Sequence, residues 1–551
     1  MVKEFQAGEG VILKYDTTAR SAELYSNGGT LWPDWLEKAG IQRWDVKSVR
    51  VADGTVKLPK DASGVDAKTL RHFSVFGGTA IRTFDMTGFD VSGVTRMDYM
   101  FFGCGCLHTV NISGCNMSAV REMHGMFTKC GDLSIVVFEN CDMSSVTNMS
   151  DMFRGCKSLR TIHLRNNKTN NVKCMAGMFR ECRSLEDLDI TGMNTAKAKD
   201  MRNMFDDCRS LHSLDLSGFN TKNVTLMSGM FRHCTALKDL DISSFDTGNV
   251  IDMHYMFADC HGLTELDLTN MRTDKVRNMN GIFRRCYSLE SIDLCGFNTA
   301  AVTNMQSMFA HCKTLGSLNV NHFDMRNVKD TRWMFRGCEN LKTLNLADVN
   351  AVSITAAEGM FFHCINLYDL NISGINTSMV KDMQEMFAYC EKLKRIDLRN
   401  FSTISAINMQ ELFSHCISME CLDLSGFDTS SVLNMSSMFK SCQTLKSLDL
   451  SKFDTSSVVL MEEMFGNCAN LAELNVKNFN TAQVIRMDSM FSGCAQLTEL
   501  DISNFSMERM WNISYMFWHC EHLKIIHMPA TVQPQVKTTD IFEGCNAIIL
   551  M

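Results

Sequence analysis

Met204-Phe205-Asp206-Asp207-Cys208-Arg209-Ser210-Leu211 decides the fold, because it recurs. Phe205 has counterparts at Phe101, Phe127, Phe153, Phe179, Phe231, Phe257, Phe283, Phe309, Phe335, Phe361, Phe387, Phe413, Phe439, Phe465, Phe491 and Phe517, in steps of 26 residues, and a Cys stands three positions after every one. A further pair, Phe542 and Cys545, arrives after 25. A fixed period in this range marks an array of stacked coils. Such coils bury their cores only against neighbours, so the 551 residues imply one repeat array rather than several globular domains.

The copy beginning at Leu211 shows the unit. Leu214 and Leu216 flank Asp215 with period two, the pattern of a short strand with one buried face. Asn220-Thr221 is turn chemistry that also caps helices. Val224, Met227, Met230, Phe231, Cys234 and Leu237 then fall at spacings of three and four, the apolar stripe of a short helix. Tight 3₁₀-like turns, or a second short strand at Val224, satisfy the same spacing. The expected architecture is α/β, a solenoid of about 17–18 coils, each a short parallel strand plus a short helix. Strands stack about 4.8 Å apart and helices need about 8–10 Å, so the array is expected to curve with its strands on the concave face.

Residues 1–74 do not follow the repeat. Residues 11–15 and 22–25 read as two short strands around a polar turn, and Trp32, Trp35 and Trp44 are half of the six tryptophans. The segment is expected to be an N-terminal cap, followed by the array over 75–524 and a C-terminal capping repeat over 525–551. The four prolines, Pro33, Pro59, Pro529 and Pro534, all lie outside the regular coils, as expected where backbone N–H groups are needed. Hydrophobic residues at 45% and charged residues at 21% are those of a globular, soluble chain. A net charge of −8 nominates neither nucleic acid nor an acidic membrane surface as partner. No signal peptide follows Met1, and no stretch approaches the roughly 20 apolar residues of a membrane span. The literal reading of location is therefore cytoplasmic, and oligomeric state is left open.

The segment Leu445-Lys446-Ser447-Leu448-Asp449-Leu450 is the strand half of a leucine-rich repeat. Ser425-Gly426-Phe427-Asp428-Thr429-Ser430-Ser431-Val432-Leu433-Asn434-Met435-Ser436-Ser437-Met438-Phe439-Lys440-Ser441-Cys442 resembles, more specifically, the BspA-like leucine-rich repeats. Its nearest likeness is the branch known as a domain of unknown function in mycoplasma and other bacterial surface proteins. The likeness spans about residues 75–551. It implies a curved leucine-rich-repeat solenoid that binds a protein or glycan ligand, often as a surface adhesin, without catalysis or cofactor. A self-assembling structural rod and an intracellular interaction scaffold are the alternatives. Two features depart from the family pattern. The export signal and anchor of surface members are not visible, and Phe or Met replaces the Asn that many leucine-rich repeats place three residues after the last Leu.

Eighteen of the 24 Cys are the repeat Cys, one per coil. Zinc sites need clustered ligands, so these read as a reduced, buried stack of small apolar side chains. Cys104-Gly105-Cys106 is the only close pair, and Cys115, Cys141, Cys174, Cys295 and Cys421 show no shared pattern. Histidine recurs just before the repeat Cys at His233, His311, His363, His415 and His519, too far apart for one metal ion and read as an exposed variable position. No nucleophile triad, phosphate loop or metal cluster stands out. The better binding candidate is the outward strand position, held by Asp189, Asp215, Asp241, Asp267, Asp293, Asn319, Asn345, Asn371, Asp397, Asp423, Asp449, Asn475 and Asp501. Stacked carboxylates repel. They are expected to bond nearby backbone or the hydroxyls two residues on (Thr191, Ser217, Ser243, Ser425, Ser451), to bind cations, or to meet a basic partner.

Overall fold

A computed structural model describes residues 1–63 and 75–550. Residues 64–74, the end of the expected N-terminal cap, lie outside the described part. The chain divides into two compact units, Met1–Lys275 and Val276–Met551.

The first unit begins with a mostly antiparallel sheet. Strands β1 (Val2–Glu9), β2 (Val11–Asp16) and β3 (Ser21–Leu31) pair antiparallel. Strand β4 (Ser48–Lys57) then joins β3 in parallel and passes the sheet on to the coils through Val56↔Phe89 and Lys57↔Asp90. Trp35 is fully buried and its Nε1 donates to the Val75 carbonyl at 3.0 Å, while Trp44 is exposed. From there the coils stack in register. Thr83–Asp85, Thr109–Asn111, Ile135–Val137, Thr161–His163 and Asp187–Asp189 form one parallel sheet whose paired residues are 26 apart. A second column of parallel bridges runs through Arg96, Glu122, Asn148, Cys174, Asp200, Leu226 and Asp252. The second unit repeats both columns, with strands such as Thr343–Asn345 on Asp369–Asn371 and bridges through Asn278, Asn304, Asp330 and Ala356.

The helix expected in each coil is not there. Among the described residues the only helical elements are Trp35–Lys38 and the 3₁₀ turn Arg43–Asp45, both before the coils. The Met-x-x-Met-Phe-x-x-Cys segment is instead a run of turns whose N–H groups alternate in direction. Met97, Tyr99, Phe101 and Gly103 donate to the carbonyls of Glu122, His124, Met126 and Thr128 in the next coil, at 2.8–3.1 Å. Met100, Phe102 and Cys104 donate three residues back within their own coil. In the second unit Met305, Ser307, Phe309 and His311 bond forward, while Met308, Ala310 and Cys312 bond back. An α-helix would return every N–H to its own segment. The alternation requires a left-handed residue twice per coil: Tyr99 (φ 54°) and Gly103 (φ 68°), Ser307 (φ 54°) and His311 (φ 61°), Glu411 (φ 55°) and His415 (φ 57°). A non-glycine residue there costs about 1–2 kcal/mol, offset by bonds to the adjacent coil. The spacing of three that suggested a helix is therefore the spacing of consecutive turns. The ground for expecting curvature, a helix layer wider than the strand layer, falls with the helix.

The interior is a column of fully buried phenylalanines. In the first unit the rings from Phe76 to Phe257 stack at centroid distances such as 5.4 Å for Phe76–Phe101 and 5.8 Å for Phe153–Phe179. In the second, Phe309–Phe335 at 5.7 Å and Phe361–Phe387 at 5.6 Å are typical, within the range of offset stacking. The repeat Cys does more than fill space. Along the column the thiols donate to the Phe carbonyl of the preceding coil, as in Cys130–Phe101 at 3.1 Å and Cys364–Phe335 at 3.1 Å. Phe76 is one more member of the column, because Cys104 Sγ reaches its carbonyl at 3.1 Å. A buried Thr ties the opposite corner: Thr455 Oγ1 donates to Asn480 O at 3.0 Å and accepts from Asn480 N at 2.7 Å.

Thr455→Val keeps the volume but removes both bonds and leaves the Asn480 N–H and C=O without their partner, a loss of about 1–3 kcal/mol. Phe309→Ala opens a cavity in the column and is expected to cost about 3–5 kcal/mol. Urea unfolding of the two variants measures both; midpoints equal to the parent protein would contradict the packing described.

Candidate functional site

The outward strand position is where the sequence placed its candidate ligand surface. Asp189, Asp215, Asp241 and Asp267 lie in the first unit, and Asp293, Asn319, Asn345, Asn371, Asp397, Asp423, Asp449, Asn475 and Asp501 in the second. All but Asp189 and Asp501, which are half-buried, are exposed. Each uses Oδ1 in the same way, accepting the backbone N–H two residues on. Examples are Asp215–Ser217 at 2.9 Å, Asn371–Ser373 at 3.0 Å and Asp449–Ser451 at 2.9 Å. These are Asx turns that end the strand within its own coil. At Thr191, Ser217, Ser243, Ser425 and Ser451 the backbone N–H makes this bond.

Those bonds hold the carboxylates ionised. Hydrogen bonds from Ser217 keep Asp215 below the usual carboxylate range. Arg399 holds Asp397 at about 2, and Ser503, joined by Lys477, does the same for Asp501 at about 2. Because Oδ1 is committed to the turn, Oδ2 is the atom that meets other groups. Asp501 Oδ2 takes Lys477 Nζ at 3.0 Å, Asp397 Oδ2 takes Arg399 at 2.6 Å, and Asp189 Oδ2 takes Arg165.

What flanks the row differs between units. In the first, Glu186, Asp187, Asp239 and Glu265 are exposed beside it. In the second, a depression of about 500 Å³ is lined by Tyr368, Lys392, Lys394, Arg395, Ser418 and Glu420, with Tyr368 55% exposed and Lys394 paired to Glu420 at 2.9 Å. Sequence reading passed over this basic cleft, although Lys392-Leu393-Lys394-Arg395 carries it in plain sight. A larger depression of about 830 Å³ lies beside β1–β4, lined by Phe5, Ile12, Tyr25 and Asp53 among others. It lies on the non-repeating sheet, and Tyr25 is bonded to Glu23 at 2.9 Å.

On the turn side the histidines are not the exposed variable position expected of them. They occupy the left-handed position before Cys, and all but His519 are half-buried. The His311 ring lies where a Cβ on Gly337 would stand, and burial together with Arg336 and Arg285 pushes it down to about 4. His415 stacks on Tyr389 at 4.2 Å. His233 approaches Asp206 at 3.3 Å. Burial works to raise Asp206, but His233 and Arg232 hold it below the usual range. Burial pushes Cys312, Cys364, Cys416 and Cys468 up to about 12, so these column thiols offer no thiolate at neutral pH. Among the described residues no group of three His, Cys, Asp or Glu is placed to hold a metal ion, and no helix is long and apolar enough to cross a membrane.

A family described as "Mycoplasma protein of unknown function, DUF285" matches residues 68–161, 132–239, 211–314, 263–369, 332–448 and 442–548. Among solved structures, a leucine-rich repeat protein from Bacteroides ovatus is 15% identical, with 98% of this chain and 92% of that one covered and a TM-score of 0.28. A leucine rich cell surface protein from Faecalibacterium prausnitzii is 14% identical, covering 90% and 99%, with a TM-score of 0.30. A leucine-rich repeat protein from Eubacterium ventriosum is 15% identical, covering 61% and 95%, with a TM-score of 0.28. No curated protein matches.

The Asp row sets a pH dependence. Asp397 and Asp501 sit at about 2 in the folded chain, below the roughly 3.9 of an unfolded Asp. A carboxylate depressed in this way adds stability that is complete above its unfolded value and is lost as pH falls through the folded one. The urea midpoint is expected to hold steady from about pH 7 to 5 and to drop between about pH 4 and 2. The drop should shrink in the Asp397→Asn, Asp501→Asn double variant; a drop of equal size there would contradict the assignment.

Proposed function

We infer that this chain, which belongs to the family described as Mycoplasma protein of unknown function, DUF285, the BspA-like leucine-rich repeats, is a non-catalytic binding protein that takes a protein or glycan ligand on its strand face. The observation that carries this reading is the division of labour at each Asx side chain. Oδ1 is spent on the turn, which leaves Oδ2 of each Asp as an acceptor and Nδ2 of each Asn as a donor, so the face presents a row of fixed polar groups at the coil spacing. Arg165 on Asp189 and Lys477 on Asp501 demonstrate the contact a basic ligand group would make. Around Asp215, Asp241 and Asp267, with Asp239 and Glu265 exposed beside them, the face fits basic groups. Around Tyr368, Lys392 and Arg395 it fits acidic ones. Residues 1–74 and 525–551 act in this reading as caps on the array over 75–524. Adhesion at a cell surface is the finer role, and it rests on the family resemblance.

A structural rod is a second reading, favoured by one observation. The strand Ile548–Leu550 pairs with Ile525–His527 on one side, and its side chains are exposed by 65%, 41% and 43%. An apolar edge of this kind invites another strand. Light scattering over a concentration series separates the readings, since a strict monomer counts against the rod.

Binding is tested on protein and glycan arrays with the parent chain, with Asp215→Lys, Asp241→Lys, Asp267→Lys, and with a turn-side control, Glu385→Lys, Glu411→Lys. The expected result is a ligand whose signal falls at least about tenfold with the strand-face triple, about 1.4 kcal/mol, and survives the control. Signals lost equally in both, or in neither, contradict a strand-face site.

A further inference from the structure

Two cysteines outside the repeat column are themselves one period apart. Cys115 and Cys141 occupy equivalent positions of adjacent coils, the position held elsewhere in the first unit by Phe89, Asn167, Met193, Phe219, Phe245 and Met271. The backbone there is paired: Asn116 bridges Asp142 in parallel, and Asp142 N donates to the Cys115 carbonyl at 3.3 Å. Parallel neighbours of this kind stand about 4.8 Å apart, inside the roughly 4.4–6.8 Å between α-carbons that a disulfide spans. The sulfurs converge on one short segment. Cys141 Sγ lies 3.0 Å from the Ile112 carbonyl, and Cys115 Sγ 4.0 Å from that of Ser113. Two small thiols stand side by side where five of the other six coils of the unit carry a bulky apolar side chain and the sixth carries Asn167. Cys115 is half-buried and open to small reagents, whereas Cys141 is buried.

We propose that Cys115 and Cys141 are an oxidisable pair that closes into an inter-coil disulfide by exchange with a low-molecular-weight disulfide. The accessible Cys115 thiolate attacks one sulfur of the small disulfide RSSR, forming a protein–SR mixed disulfide and expelling RS⁻, which takes up a proton. The Cys141 thiol then loses its proton to solvent, attacks the Cys115 sulfur and expels the second RS⁻, which is protonated in turn. Two protein thiols are oxidised to one disulfide, and RSSR is reduced to two RSH. The mutual contact of the two thiols holds one below its ordinary value and pushes the other up, so the first proton is lost from the pair rather than from either sulfur alone, and Cys115 is the sulfur that a small disulfide can reach. The repeat column differs in access: its thiols from Cys104 to Cys520 are buried, whereas Cys115 is open to a small disulfide. The cross-link would staple the coil of Cys115 to the next and make the early array more resistant to unfolding in an oxidising environment.

The test uses the full chain with excess oxidised glutathione, quenched in acid and mapped by mass spectrometry without reduction. The expected product is a peptide carrying Cys115 joined to one carrying Cys141, with loss of two hydrogens, a raised thermal midpoint, and reversal of both by reductant. In Cys141→Ser the resolving thiol is gone, so glutathione should remain trapped on Cys115 and the midpoint should not rise. Cys115→Ser should give neither link nor adduct at Cys141. The exposed Cys106, Cys295 and Cys421 are expected to carry glutathione only as single adducts. Unlinked Cys115 and Cys141 in the parent chain, or a link from Cys115 to another cysteine, would overturn the proposal, and because that mapping needs no variant it stands even if Cys141→Ser does not fold.

Discussion

Alternate N–H groups on the turn side of each coil find their acceptor only in the next coil, and the rest of the structure follows from that. Met97, Tyr99, Phe101 and Gly103 are satisfied by residues 25 positions on, so a coil that lost register would bury unpaired donors, each at a cost of about 1–3 kcal/mol. The 26-residue period, unbroken from Phe101 to Phe517, is the sequence expression of this constraint. It explains why no proline lies between Pro59 and Pro529, since a missing N–H breaks either a turn or an inter-coil bond. It also explains the invariance of the repeat Cys. The Phe carbonyl it caps already accepts the N–H of its own coil's Cys, and a thiol is small enough to reach that oxygen from the next coil while remaining buried.

Much of this was legible in the residues. The period, the strand at Leu214, the buried Phe column and the burial of the repeat Cys all follow from spacing and polarity. The helix misled because Val224, Met227, Met230, Phe231 and Cys234 suit a helix and a chain of three-residue turns equally well. The discriminating signal was a backbone one. Glycine marks the left-handed positions at Gly125, Gly177 and Gly229, but Glu411, His415 and Ser307 hold them as readily, so no single residue type announces them. Four of the histidines looked like free surface positions for the same reason: from a left-handed backbone the ring lies against a neighbouring coil, as His311 does at Gly337 and His415 at Tyr389. The Asp and Asn row was found from the sequence, but not the commitment of its Oδ1 to an Asx turn, which depends on where the strand ends. The in-register spacing of Cys115 and Cys141 was countable and was hidden by the eighteen repeat cysteines around it.

The division between interior and strand face frames how such a chain diversifies. Phe, Met, Cys and Thr are tied to neighbours by stacking and hydrogen bonds, so substitution there is penalised in two coils at once. The strand-face residues answer chiefly to their own turn through Oδ1, with surface ion pairs such as Lys477–Asp501 the cross-coil exceptions. They are free to vary in charge from coil to coil, which is how an acidic stretch in one unit and a basic cleft in the other arise on the same scaffold without altering its register.

The central claim is that the Met-x-x-Met-Phe-x-x-Cys segments are turns bonded to adjacent coils, not helices. Far-UV circular dichroism of the folded chain tests it most directly. A spectrum of β-structure and turns, lacking the helical double minimum, is the predicted result. A helical spectrum of the strength expected for one short helix in every coil would contradict the account.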